Sequence, residues 1–387
     1  MSVTAAEPTT PGIRTGEVDN VLEIEDLHVH FHTKLGTVRA VNGVSLNVPR
    51  GKVVGVVGES GCGKSITAYA VMQLVPPPGE IVAGRIIFRP PGQAPVNLLQ
   101  YERNSDEMRA IRGRHISMIF QEPMTALNPC YTVGDQIVEA ILLHQTRNRK
   151  EATARAVDIL RRVGLPNPER LLRTYPHQLS GGMRQRAMIA LALSCEPDLL
   201  LADEPTTALD VTTQAQILDI MRELQAEIGM SIVFVTHNLG VIAQMADEVA
   251  VMYLGRIVER APVDELFDDP KHPYTRALMR SIPRLGTPRH GRLSVIVGSL
   301  PSPYAQPAGC PFHPRCPSAM PGVCDVHEPA LRPVGQTAAV SCFLYHNPDG
   351  SPATREGAVP AAAGQSAPPA PPAPAGQGEA AAGVPAV

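Results

Sequence analysis

The sequence predicts an α/β fold built on a mostly parallel sheet, with a small Pro/Cys-rich domain appended at the C-terminal end. Three observations carry this. Short β-rich runs alternate with longer helical patterns through the central chain, the succession that βαβ units produce. A glycine-rich loop of the phosphate-binding type stands where one such strand passes into a helix. Proline density then rises from Pro262 onward (Pro270, Pro273, Pro283, Pro288, Pro301, Pro303), which places a boundary near 260–265.

In chain order, residues 1–20 form a polar leader rich in Thr, Glu and Pro that is expected to be disordered, and apolar/polar alternation starts at Val21-Leu22-Glu23-Ile24. Strands are predicted at Val53–Val57, 115–120, 199–202, 231–236 and Glu248–Tyr253, and helices at 66–75, 151–163, 182–194 and 213–228. Val53–Val57 and 199–202 are apolar without alternation, as strands covered on both faces are, so they are expected inside the sheet. The main body is expected to span 21–264 and the C-terminal domain 265–348. A disordered tail is expected over 349–387: of the 30 positions in 358–387, 12 are Ala, 7 Pro and 4 Gly, with little side chain to bury.

With 34 Lys+Arg against 37 Asp+Glu in 387 residues, the formal net charge is −3, which argues against a uniformly basic nucleic-acid binder. A hydrophobic share of 44% supplies a sizeable core, while 4% aromatic residues and no Trp disfavour an aromatic binding platform. No run reaches the ~18 apolar residues of a membrane-spanning helix. The N-terminus also lacks the charged-then-apolar order of a secretory signal, so the chain is expected in the cytosol or against a membrane. Of seven cysteines, Cys62, Cys130 and Cys195 are scattered, whereas Cys310, Cys316, Cys324 and Cys342 crowd the last quarter. That distribution fits a local cysteine site in a reducing compartment better than a disulfide framework.

The glycine-rich loop reads Gly58-Glu59-Ser60-Gly61-Cys62-Gly63-Lys64-Ser65 and opens the helix at Ile66. Such a loop curls backbone N–H groups around phosphate oxygens at a helix N-terminus, with Lys64 adding charge at the β- and γ-phosphates and the Ser65 hydroxyl placed to ligate Mg²⁺. Downstream, Leu199-Leu200-Leu201-Ala202-Asp203-Glu204 is an apolar strand ending in two acids, which suits a strand whose C-terminal edge opens on a nucleotide. Asp203 is expected to hold the Mg²⁺ shell and Glu204 to polarise the attacking water.

Leu179-Ser180-Gly181-Gly182-Met183-Arg184-Gln185-Arg186 resembles the signature of the ATP-binding-cassette (ABC) ATPases, with Ser180 standing 23 positions before Asp203 as in that family. A Ser and two glycines at a helix start offer a hydroxyl, free N–H groups and a positive dipole end, a second anion cradle. The resemblance implies an ABC-type nucleotide-binding domain with a RecA-like parallel core, an antiparallel β subdomain and a helical subdomain over about 122–195. It also implies that Ser180, Gly181 and Gly182 close over ATP held by a partner subunit. By the same resemblance Gln121 is the glutamine that touches Mg²⁺ and links to membrane subunits. Ala208-Leu209-Asp210 matches the dimer-seam loop, and His237, 34 positions after Asp203, matches the γ-phosphate switch histidine. Phe31 is the candidate adenine-stacking aromatic.

Phe120-Gln121-Glu122-Pro123-Met124-Thr125-Ala126-Leu127-Asn128-Pro129, His272-Pro273-Tyr274-Thr275 and Gly309-Cys310-Pro311-Phe312-His313-Pro314-Arg315-Cys316-Pro317 narrow the resemblance to the oligopeptide/dipeptide branch of ABC importers. It implies an ATPase, working with ATP and Mg²⁺, on the cytoplasmic side of the inner membrane. Its implied partners are a second, related ATPase, two permease subunits and an extracytoplasmic peptide-binding protein, with no nucleic acid.

The late cysteines follow C-x5-C-x7-C-x17-C in a segment with little apolar material, so a metal centre is expected to supply cross-links. All-Cys ligation suits a four-iron, four-sulfur cluster or zinc. The branch carries the iron–sulfur cluster on such cysteines, and the spacing departs from the C-x2-C pairs of zinc ribbons. His313, His327 and His346 are expected to be surface or capping residues. Two further readings compete. A nucleic-acid-directed ABC ATPase is disfavoured by the single cassette, with Lys64 and Ser180 only 116 positions apart, and by the charge; a redox carrier lacks a second redox motif. Close relatives in the branch serve nickel or other small solutes, so the substrate is left open between these and peptides.

Overall fold

A computed structural model describes residues 19–122, 126–207, 209–281, 296 and 298–353. The expected leader and most of the expected tail lie outside these residues. The first strand already begins at Asn20, and 349–353 turn back on 345–347 through an Asn347 N–H to Ser351 carbonyl bond of 2.8 Å and a bridge between His346 and Pro352.

Two sheets organise the chain. A four-stranded antiparallel sheet runs in the order Gly36–Pro49, Asn20–Thr33, Gly79–Phe88, Val96–Asn97. The larger, eight-stranded sheet has a parallel core in the order Glu248–Tyr253, Val53–Val57, Ser231–Val235, Leu199–Asp203, Ile116–Ile119. The predicted strands therefore all form, and Val53–Val57 and Leu199–Asp203 are interior, as their unbroken apolar runs require.

Period-two geometry explains how one strand serves two cores. Val53 and Val57 join an apolar cluster shared with the helices Val133–His144, Arg149–Arg162 and Gly181–Leu193, whereas Val54 and Val56 join a second cluster shared with the antiparallel sheet and the helix Lys64–Val71. Leu200 and Ala202 divide from Leu199 and Leu201 in the same way. Each fully buried Val or Leu contributes about 1.5–3 kcal/mol, so a polar substitution on either face of these strands is costly. The helices start where side chains satisfy their free N–H groups: Thr132, Asn148, Ser180, Asp210 and Asn238 each accept from the first turn of the helix they precede.

The segment beyond 264 shares the cassette's sheet and core. Arg256–Pro262 pairs antiparallel with Glu248–Tyr253, and Ala338–Val340 and Arg332–Val334 extend the same sheet beyond it. Cys310, Phe312, Cys324, Ala338 and Phe343 belong to the apolar cluster that contains Val53 and Leu200. The scarcity of apolar residues in this segment is met by burial against the cassette, since its strands are three residues each and cannot form a core of their own.

Candidate active site

Strand Val53–Val57 delivers the chain to the phosphate loop and helix Lys64–Val71 leads it away. Glycine is required at two points. A Cβ at Gly58 would stand 2.2 Å from the Met252 carbonyl oxygen, and one at Gly63, where φ is +104°, would stand 2.2 Å from that of Ala40. Ser60 and Gly61 are exposed at the crest, Cys62, Gly63 and Lys64 are buried, and Ser65 and Ile66 are half-buried. Lys64 Nζ donates to the carbonyls of Gly58 (2.8 Å) and Glu59 (3.1 Å), so the ammonium lies inside the curl of the loop, where phosphate oxygens bind.

Asp203 ends strand Leu199–Asp203 fully buried. The Ser65 hydroxyl donates to its Oδ1 at 2.8 Å, while its Oδ2 is buried without a hydrogen-bond partner. Burial raises the Asp203 pKa, the Ser65 bond opposes that, and the neighbouring Glu204 charge adds to it. A carboxylate with a spare buried oxygen beside a hydroxyl fits Mg²⁺, which takes one or two protein oxygens and completes its shell with water and phosphate. Among the described residues no three His, Cys, Asp or Glu side chains are disposed to hold a metal ion by themselves.

Glu204 is gripped from three sides. His237 Nδ1 lies 2.9 Å from its Oε1, and the Thr207 hydroxyl (2.9 Å) and the Gln121 amide nitrogen (3.0 Å) both donate to its Oε2. Its backbone sits at φ +45°, a left-handed conformation that a side-chain-bearing residue holds only when its surroundings enforce it, and its N–H is tied to the Val235 carbonyl at 2.9 Å. Burial works to raise its pKa, but the bonds from His237 and Thr207 outweigh burial and leave it below the ordinary carboxylate value. Glu204 is thus an ionised acceptor next to the phosphate-loop serine's partner, suited to orient a water or take its proton. The Gln121 amide nitrogen is thus brought into the same cluster through Glu204. Thr207 is a contact that sequence reasoning missed.

Ser180 is exposed and caps helix Gly181–Leu193, accepting the Met183 N–H at 3.3 Å. Open space surrounds the point where a Gly181 Cβ would stand, and Thr213 lies 3.2 Å from that of Gly182. The face is therefore bare and N–H-rich. Asp210 caps helix Val211–Ile228 through the Thr213 N–H (3.0 Å) and hydroxyl (2.7 Å). Ala208 of the expected seam loop lies outside the described residues. Phe31 is half-buried, its ring against Gly79, where a Cβ would meet it at 2.7 Å.

Cys310, Cys316, Cys324 and Cys342 line one small pocket together with His272, Phe312, Met320 and Phe343. Burial and the neighbouring cysteines push Cys310 and Cys342 up to about 12. His272, wholly buried beside them, is held neutral by burial, with a pKa of about 3, and its Nδ1 accepts the Tyr274 N–H at the start of helix Pro273–Arg280. His313 Nδ1 bonds the Cys310 carbonyl at 2.9 Å, a local turn contact.

Two family models match the chain: ABC transporter over residues 41–207, and oligopeptide/dipeptide transporter, C-terminal region, over 258–324. The dipeptide transport ATP-binding protein DppD of Bacillus subtilis (strain 168) is 48% identical over 328 residues, covering 84% of this chain and 95% of that protein. This chain belongs to the ATP-binding subunits of the peptide ABC transporters. Within that family, the oligopeptide transport ATP-binding protein AppD of B. subtilis is 46% identical (85% and 98% covered) and DppD of Escherichia coli (strain K12) is 45% identical (86% and 99%). Among solved structures, the dimeric ABC transporter cassette MJ0796 superposes with a TM-score of 0.55 at 26% identity, over 62% of this chain and 98% of its own. A dimeric post-hydrolysis state of that cassette bound to ADP and Pi matches equally in TM-score, 0.55 at 25% identity and with the same coverage. The peptide-transporter ATPase described here therefore has an ATP-hydrolysing cassette, and among its described residues no helix is long and apolar enough to cross a membrane.

Proposed function

We propose that this chain is the motor subunit of an importer for dipeptides or oligopeptides, docked on the cytoplasmic side of the inner membrane beneath two permease subunits and fed by an extracytoplasmic peptide-binding protein. The observation that carries it is the pairing, in one chain, of a cassette site centred on Glu204 with the 258–324 region whose family model is that of the oligopeptide/dipeptide transporters. Ser65 and Asp203 hold Mg²⁺, Lys64 and the loop amides hold the phosphates, and Glu204 orients the water with His237 at the γ-phosphate. Phe31 offers the adenine its ring. Ser180, Gly181 and Gly182, bare on this chain, act on nucleotide in the partner ATPase, a homologous rather than identical subunit.

The four cysteines are proposed as a structural metal centre, iron–sulfur in preference to zinc. Their side chains line one pocket, although as placed no three of them form a ready ligand set, and bonds from a metal to the deprotonated sulfurs would offset what burial costs the thiolates. When bound, the cluster supplies cross-links. The test is proteoliposome uptake by the complete transporter: ATP-dependent accumulation of a labelled dipeptide, stimulated by peptide-loaded binding protein, supports the reading. Uptake of nickel without peptide uptake overturns it.

A further inference from the structure

Glu59 is the variable position immediately after the first glycine of the phosphate loop, yet it is fixed by three separate groups: its carbonyl, its N–H and its carboxylate. Its carbonyl accepts from Lys64 Nζ at 3.1 Å, inside the loop itself. Its N–H donates to the Tyr274 hydroxyl at 2.9 Å, and its carboxylate takes a two-pronged bond from Arg315, Nη1 to Oε2 at 2.7 Å and Nη2 to Oε1 at 3.1 Å. Two of the three anchors thus come from beyond residue 264, one of them from a position 256 residues away in the chain.

The strut is built to be stiff. Arg315 lies between Cys310 and Cys316 in the cysteine loop, and its side chain is only 5% exposed against 27% for that of Glu59. The guanidinium also donates to the Tyr253 hydroxyl at 3.4 Å and lies 5.9 Å from that ring's centre. Tyr253, Tyr274 and Phe312 pack with ring centroids 4.7, 5.3 and 5.4 Å apart, all essentially fully buried, and fill the space between the cysteine pocket and the loop. A planar, forked cation with both prongs used fixes the direction of the carboxylate as well as its charge, which a lysine at this place cannot do.

We infer that Arg315, with Tyr274, is a positioning residue of the ATP site: the C-terminal region holds Glu59, and through it the phosphate loop, in the curl that receives phosphate, so nucleotide affinity depends on that region being docked. The two events are then reciprocally linked, and nucleotide binding stabilises the 310–316 loop by the same factor by which docking tightens nucleotide. The strut is made of Glu59, Tyr274 and Arg315 alone and does not include the thiols.

The test uses the full chain. Dissociation constants for a fluorescent ATP analogue and steady-state ATP kinetics are measured for Arg315→Gln, Arg315→Lys, Glu59→Gln and the double variant, with Glu328→Gln as control. Glu328 pairs with Arg256, so it too ties the late segment to the cassette, but at a different place. Expected are a loss of analogue affinity of roughly 5–20-fold for Arg315→Gln, a matching rise in KM with kcat within about two-fold, and partial recovery in Arg315→Lys. The double variant is expected to be no worse than the more severe single, because both cut one strut. Nucleotide should slow amide exchange over 310–316 in the wild type and not in Arg315→Gln. Should Arg315→Gln fail to fold, Glu59→Gln and Arg315→Lys decide. Affinity unchanged within two-fold in those variants, or an equal loss in Glu328→Gln, overturns the inference.

Discussion

The phosphate loop and the cysteine loop are both short, irregular turns rich in special residues, but they are held in opposite ways. The phosphate loop carries its own pattern in contiguous sequence: a buried strand, Gly58 and Gly63 where the carbonyls of Met252 and Ala40 leave no room for a side chain, and a helix that begins at Lys64. The cysteine loop takes its shape from distant partners, with Phe312 among Tyr253, Tyr274 and His272, and Arg315 on Glu59. Local construction leaves a motif with fixed spacing, which is why the ligand-facing atoms are readable. Long-range construction leaves single residues with no spacing rule, although they decide how firmly the first loop stands.

This contrast can be broken at graded points. Phe312→Ala empties the joint between the two loops and is expected to cost about 3–5 kcal/mol, seen as a lowered denaturation midpoint of the full chain. Gly63→Ala acts within the phosphate loop, combining a left-handed backbone with contact on the Ala40 carbonyl. It is expected to cost about 2–4 kcal/mol and to abolish detectable nucleotide binding in a filter assay. Glu259→Gln probes the late segment again. The buried Glu259 carboxylate accepts the N–H groups of Lys271 (2.6 Å) and His272 (2.8 Å), one with each oxygen, so an amide leaves one donor facing a donor. About 1–3 kcal/mol of stability should go, with nucleotide affinity following only so far as the C-terminal region undocks. Ser180→Ala removes a helix cap worth about 1 kcal/mol. If the Ser180 face serves a partner's nucleotide, turnover of the assembled ATPase pair falls much further than that of the isolated chain, measured as phosphate release against protein concentration.

The same division explains what the sequence made legible. Val53–Val57 and Glu248–Tyr253 are predicted to the residue: the first is an unbroken apolar run, and the second is apolar and buried from Val249 onward. Ser65, Asp203, Glu204 and His237 were expected around one site and the structure brings them together, since each ends or follows a core strand at its C-terminal edge or sits at the helix start. Helix Val133–His144 was not anticipated, although Val133, Ile137, Val138 and Ile141 carry its buried stripe. Arg332–Val334 and Ala338–Val340 were beyond reach, since three-residue strands exist only through pairing with Arg256–Pro262 and each other. Tyr274 and Arg315 stood inside motifs singled out for family resemblance, but nothing local marks them as anchors of Glu59.

The account rests on Glu204 as the residue that activates water beside Ser65, Asp203 and His237. The direct measurement is phosphate release and nucleotide retention by Glu204→Gln in the assembled ATPase pair. Glutamine keeps one oxygen, enough for the Thr207 and Gln121 bonds now made at Oε2, and presents its amide nitrogen to His237, but it cannot take a proton, so ATP should stay bound while turnover falls by roughly 10²–10⁴-fold. Turnover at the wild-type rate would contradict it.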